Sequence, residues 1–233
     1  MGGVLGWLDF WNQDNSIYVN RRHLEAHYRT LLARVRPLLP SHDFTLLDYG
    51  CGDALMANDI AAQGGSVLLY DAAPFRREVL NRRHAGSDRI KVLDDCQLDG
   101  LAPGTCDIVL MVSVLQYIPR AELPALLHRL APLLSPGGRL ILGDVISPDG
   151  SVLKDVSAML RFAAANGFLV GALFGLVRTT FSEYGLLRRR FGLTAYGKDE
   201  LVALLRQSGW QAEVLHHNLG FDDNRWSLAA RPS

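Results

Sequence analysis

Short apolar runs rich in β-formers alternate with helical patterns between about residues 44 and 146. The runs read FTLLDY (44–49), SVLLY (66–70), IKVL (90–93), CDIVLMV (106–112) and RLILGDV (139–145). They alternate poorly between apolar and polar positions, as strands buried on both faces do. Helix candidates lie between them near 53–63, 75–84 and 121–134. This order predicts an α/β fold with a doubly wound, mostly parallel sheet. Ligands of such sheets bind beyond the carboxyl ends of the strands, where strand order switches.

The flanks read differently. Residues 151–190 hold a long apolar helical stretch without a strand signal, and KDELVALLRQSGW (198–210) reads as a helix with Gly209 just past its end. QAEVLHH (211–217) and RWSLAAR (225–231) read as an antiparallel hairpin that closes the sheet, for seven strands in all. An aromatic-rich lead and a helix near 20–38 precede the first strand. The expected organisation is one domain over 1–233. It comprises an N-terminal helical segment (1–40), a core (41–146), a helical insertion (147–197) and a closing helix and hairpin (198–233).

The glycine turn in LLDYGCGDAL (46–55) carries the first chemistry. Gly50 and Gly52 permit close backbone approach to a ligand. A dinucleotide fingerprint would place a third glycine at position 55, which is Leu55. Asp48 and Asp53 flank the turn and would repel a pyrophosphate. A cationic ligand without phosphate fits better. In DYGCGDA the chain resembles the class I S-adenosylmethionine-dependent methyltransferases of small-molecule type, whose first motif is D/E-x-G-x-G-x-G; Ala54 stands in place of the last glycine. The resemblance covers about 40–146 as an ordered series of motifs and extends to 231 through the hairpin.

The resemblance implies a Rossmann-like sheet, S-adenosyl-L-methionine as cofactor and S-adenosyl-L-homocysteine as product. It assigns Asp48, Gly50, Cys51 and Gly52 to the cofactor turn. It gives the ribose hydroxyls to Asp71, with Ala72 beside it. The adenine amino group falls to Asp95, with Asp94 as the register alternative, and Cys96 lies beside the adenine through its backbone. In VSVLQYIP (112–119), Ser113 and Gln116 would pass the methionine part, and Tyr117 the reacting methyl. The Asn/Asp-Pro-Pro-aromatic motif of enzymes that methylate exocyclic base amines is missing here. The segment 1–40 would be a lid over the cofactor core 41–146.

Composition narrows the partners. Twenty-four basic and 24 acidic side chains give a formal net charge of +0, so bulk charge lends no support to a nucleic-acid partner. Three cysteines without a C-x-x-C pair indicate neither a disulfide framework nor a zinc site. The start MGGVLGWLDFW lacks a basic leader, and Gly6 spoils a myristoylation signal, so a cytoplasmic location is expected. His23 and His27, four apart, supply only two ligands, so no metal is expected. Tyr18, His23 and Tyr117 are the catalytic candidates. His27, His216, His217, Asn218 and Asp144 stand behind them as residues that could touch substrate.

The insertion bears on the acceptor. Residues 162–177 are almost wholly apolar, and Ala163, Gly167, Gly171 and Gly175 recur every fourth residue. As one helix they would present a small-residue face; a break in the helix is the alternative. Three readings compete: a helix buried on the core or against a second subunit, the wall of an apolar pocket, and a membrane-surface helix with LRRR (187–190) meeting anionic headgroups. The favoured function is methyl transfer to a small apolar acceptor at oxygen or nitrogen, with carbon also open. The rivals are a cofactor-binding but non-catalytic protein of this fold and a nicotinamide-dependent oxidoreductase.

Overall fold

The computed structural model describes residues 6–14, 17–180 and 192–233. Seven strands form one sheet: β1 (Phe44–Tyr49), β2 (Gly65–Tyr70), β3 (Ile90–Leu93), β4 (Cys106–Val112), β5 (Leu134–Val145), β6 (Trp210–Val214) and β7 (Trp226–Pro232). Their order is β3-β2-β1-β4-β5-β7-β6. The first five pair in parallel, and β7 runs antiparallel between β5 and β6. The expected closing hairpin thus inserts its second strand against β5. Strand order reverses between β1 and β4, so the crevice of this sheet opens at their carboxyl ends.

Nine helices accompany the sheet among the described residues: α1 (Trp7–Trp11), α2 (Arg21–Val35), α3 (Ala57–Ala61), α4 (Pro74–His84), α5 (Asp95–Asp99), α6 (Leu123–Leu130), α7 (Val152–Ala165), α8 (Leu169–Thr180) and α9 (Lys198–Gln207). Leu46 and Leu47 are both fully buried, as are Val109 and Leu110 and again Leu140 and Ile141. Neighbours along a strand face opposite ways, so both faces are covered, which explains the uninterrupted apolar runs. One face packs on α6 and α9 through Leu123, Leu127, Leu201 and Leu205. The other packs on α2 and α3 through Leu31, Val35 and Ile60. Helix α2 is therefore part of the core layer rather than a cover over it. Asn20 starts it by accepting a hydrogen bond from the His23 amide at 2.9 Å.

The apolar stretch 162–177 is not one helix. Helix α7 ends at Ala165, Gly167 turns at φ +72, and the Phe168 amide bonds the Ala163 carbonyl at 2.9 Å. Asn166-Gly167 supplies the left-handed exit that an apolar count overlooks. Phe168 then turns inward to pack with Ala26, Ala163 and Ala172. The four-residue stripe is thus split between α7, the turn and α8. Gly171 passes so close to Asn20 that a Cβ would lie 2.7 Å from its Nδ2. The opposite face of α8 exposes Leu169, Val170, Leu173 and Phe174, so this helix is not buried on the chain's own core all round. Among the described residues no helix is long and apolar enough to cross a membrane. LRRR (187–190) lies outside the described residues.

Candidate active site

The cofactor side is built at the end of β1. The amides of Gly50 and Cys51 both donate to the Tyr70 carbonyl, at 2.7 and 3.1 Å, and tie the turn to β2. Gly50 has φ +78, and a Cβ there would stand 2.4 Å from a Val114 methyl. Only glycine satisfies both conditions. Gly52 and Ala54 are left-handed too, at φ +54 and +46. The alanine that departs from the motif therefore keeps the backbone a glycine would give, at a strain of about 1–2 kcal/mol.

Helix α2 locks this turn from below. The Tyr28 hydroxyl donates to the Cys51 carbonyl at 3.2 Å and accepts from the amides of Asp53 and Ala54 at 3.1 and 3.2 Å. Asp71, just past β2, accepts from the Gly52 amide at 3.0 Å and the Ala73 amide at 2.9 Å. Burial raises its carboxyl above the usual range, against the pull of those two amides. Burial and the neighbouring Asp71 push the Asp48 carboxyl up to about 7. Burial and then Asp48 and Asp71 push the Cys51 thiol well up. Asp48 and Asp71 thus face this turn from the strand ends, while Asp53 on its far side pairs with Arg76 at 3.3 Å.

The adenine candidates are already engaged. Asp94 caps α5 by accepting from the Gln97 amide at 2.8 Å. Asp95 accepts from the Tyr70 hydroxyl at 2.6 Å and pairs with Arg77 at 3.2 Å. Arg77 also donates to the Asp71 carbonyl at 2.7 Å. Ala72 follows Asp71 directly, and Cys96 is exposed in the first turn of α5.

On the acceptor side, β4 and β5 end in two left-handed residues, Ser113 at φ +57 and Asp144 at φ +61. The Ser113 hydroxyl donates to Asp144 Oδ2 at 2.6 Å, Arg225 donates to the same oxygen at 2.7 Å, and Asn218 Nδ2 donates to Oδ1 at 2.9 Å. Burial would raise the Asp144 carboxyl, but Arg225, Ser113 and Asn218 together hold it below the usual range. Arg225 also reaches Gln116 Oε1 at 3.4 Å. Gly220 makes room for this cluster, since a Cβ there would fall 2.3 Å from Asp144 Oδ1. Tyr117 lies under α1, with its ring 4.9 Å from Trp7 and 5.8 Å from Trp11. Asn12, just past α1, caps α4 at the Phe75 amide, so α1 reaches from the start of α4 to Tyr117.

An aromatic wall joins the two sides. Tyr18 lies 5.1 Å from His23 and 5.3 Å from His27. Phe162 of α7 stacks on Phe221 at 4.4 Å. Burial and then the charges of Asp53 and Asp144 push the Tyr18 phenol far above its ordinary value, so it stays protonated and is no base at neutral pH. His23 is fully buried and stacked on Phe168 at 4.8 Å. Its Nδ1 accepts from the Val19 amide at 3.4 Å, and among the described residues its Nε2 has no hydrogen-bond partner. The structure thus places it in the joint between α2 and the insertion. His216 and His217 are exposed beyond β6, whereas Asn218 joins the Asp144 cluster. Among the described residues no three metal-ligating side chains converge. Tyr28 and Arg225 had no signal in the sequence, because each acts on residues far away in the chain.

The placement of His23 has a measurable consequence. Burial and then His27 lower its imidazole from 6.5 to about 4. A histidine lowered in the fold adds stability above its unfolded value and gives it up as pH falls toward the folded one. The protein is expected to lose on the order of 3 kcal/mol between pH 6.5 and 4 through this group. His23→Leu should flatten that loss in melts across the range while cofactor affinity stays the same. A variant that melts in parallel with the parent at every pH would refute it.

Residues 20–216 match the family described as a methyltransferase domain, and the chain belongs to it. Over 107 residues it is 31% identical to the mitochondrial ubiquinone biosynthesis O-methyltransferase of Schizosaccharomyces pombe, covering 43% of this chain and 37% of that protein. The chain thus spans about two fifths of the length of the curated relatives it matches. Among solved structures, it superposes with a TM-score of 0.56 and 17% identity on the 1,6-didemethyltoxoflavin-N1-methyltransferase of Burkholderia thailandensis, over 89% of this chain and 78% of that one. A chain of the complex between the Haloferax volcanii Trm112 methyltransferase activator and a methyltransferase gives 0.62 at 13% identity, over 99% of both. These structural likenesses establish the fold.

Proposed function

We propose that the chain transfers a methyl group from S-adenosylmethionine to a hydroxyl oxygen of a small acceptor that is largely apolar and aromatic. The observation that carries this reading is the aromatic wall of Tyr18, His27, Phe162 and Phe221 beside strand ends that hold a carboxylate-lined glycine turn. Relatives that carry the name ubiquinone biosynthesis O-methyltransferase support oxygen over nitrogen.

In this reading Gly50, Cys51 and Gly52 lie along the cofactor, and Asp48 offsets its positive charge. Asp71 accepts from the ribose hydroxyls beside Ala72, since a carboxylate offers acceptors side by side. Asp95 and Cys96 border the adenine. Ser113 and Gln116 border the methionine part, and Tyr117 under α1 closes the roof. Bound there, the cofactor supplies a methyl on a sulfonium that leaves as a neutral thioether. The chain positions the acceptor oxygen, and such orientation is worth roughly 7–11 kcal/mol of barrier.

Calorimetric titration with S-adenosylmethionine and S-adenosylhomocysteine tests the cofactor, and turnover on catechols and aliphatic amines followed by mass spectrometry tests the acceptor. Binding of both, with methylation of catechols alone, is expected. Binding without any turnover would favour the non-catalytic rival, and tight NADH binding in place of either ligand would favour the oxidoreductase.

A further inference from the structure

Four titratable groups around the crevice are unsuited to take a proton from the acceptor. Tyr18 is held protonated by burial and by Asp53 and Asp144. His23 is stacked within an aromatic joint. The Asp144 carboxylate already accepts from Ser113, Arg225 and Asn218. Asp48 faces Asp71 on the cofactor side of the turn. His27 is different. Its ring is half-buried, and among the described residues neither of its nitrogens takes part in a hydrogen bond.

The position of His27 is fixed from both sides of the crevice. The next residue, Tyr28, holds the glycine turn through three hydrogen bonds, and the two rings meet edge to face at 5.3 Å. On the far side, the ring lies 5.3 Å from Tyr18 and 6.3 Å from Phe221 and feels the charges of Asp144 and Arg225. His27 therefore stands between the cofactor turn of β1 and the polar cluster at the end of β5.

We propose that His27 is the general base that takes the proton from the acceptor hydroxyl. This rests on the O-methylation reading above. As the acceptor oxygen bonds the methyl carbon, its proton passes to an imidazole nitrogen of His27. The carbon–sulfur bond breaks with its electron pair going to sulfur, and the imidazolium later returns its proton to solvent. Burial lowers this imidazole below its ordinary 6.5; Asp144 opposes the shift and Arg225 adds to it. Tyr18, Tyr28 and His23 are the other titratable groups against the ring. The base is thus neutral and ready at pH 7, and activity should fall on the acid side only below 6.5.

The test compares the parent with His27→Asn on catechol and on 4-nitrocatechol, whose more acidic hydroxyl needs less help. Turnover of catechol should fall about a hundredfold or more, that of 4-nitrocatechol far less, and the acid limb of the pH profile should vanish. Affinity for S-adenosylhomocysteine should change by less than about twofold. Independently of turnover, the His27 ring resonance of the parent should titrate below 6.5 and move when catechol joins the S-adenosylhomocysteine complex. Equal losses on both acceptors, an unchanged pH profile or a ring resonance indifferent to catechol would overturn the base. If the parent binds cofactor yet methylates no hydroxyl, the O-methylation reading falls as well; if only His27→Asn keeps full turnover, that reading survives and the base alone is lost.

Discussion

Asp71→Ala should weaken binding of S-adenosylmethionine roughly tenfold to a hundredfold, the equivalent of losing charge-assisted hydrogen bonds worth about 1.5–3 kcal/mol. The same substitution should hardly move the melting temperature. The Asp71 carboxyl is raised in the fold, first by burial. A carboxyl shifted that way adds stability while protonated and gives it up as pH rises through its folded value. As pH rises toward neutral that contribution is given up, so removing the carboxyl offsets the two amide bonds lost at Gly52 and Ala73. Calorimetry and thermal melts on one preparation separate the two effects. Unchanged affinity would remove Asp71 from the cofactor site.

The opposite profile is expected of Arg225→Ala. Arg225 and Asp144 form an ion pair at 2.7 Å in which the Asp144 side chain is only 9% exposed. Removing one partner of a buried pair costs about 3–5 kcal/mol, because the other charge stays behind without its counterion. For a chain of this size that is a fall in melting temperature of roughly 10 °C. In the parent, the lowered Asp144 carboxyl supports the fold above its ordinary 3.8 and stops doing so as pH falls through the folded value. In the variant the carboxyl titrates higher, so the gap between the two proteins should narrow in acid as Asp144 takes up its proton. A gap that stays constant from pH 7 to 4 would show that the guanidinium acts through packing instead.

These two sites differ in how far they could be read from the residues. The place of Asp71 beside the glycine turn was legible because it ends an apolar strand that pairs in parallel with the strand before the turn, while its role came from the family resemblance. The strands were legible for a related reason, since residues buried on both faces leave an unbroken apolar run. Arg225 was not legible, because Gln116 and Asp144 reach it from distant parts of the chain, the turn after β4 and the end of β5. Tyr28 was hidden in the same way behind the more conspicuous histidines. His23 and His27 share a helix face in projection, yet one turn separates a stacked core ring from one beside the crevice. In the apolar insertion a break in the helix was one of the two open readings, but hydropathy sums over the Asn166-Gly167 exit and could not place it.

The Tyr28 latch bears on when the protein becomes competent, not only on where its ligand sits. Among the described residues, the Asp53 amide has its partner only in that hydroxyl, and α2 lies upstream of every strand. The Gly50 and Cys51 amides are held from β2 and the Gly52 amide by Asp71, whereas the Asp53 amide takes its partner from α2. Competence for the ligand is thus tied to the docking of α2 as well as to the sheet.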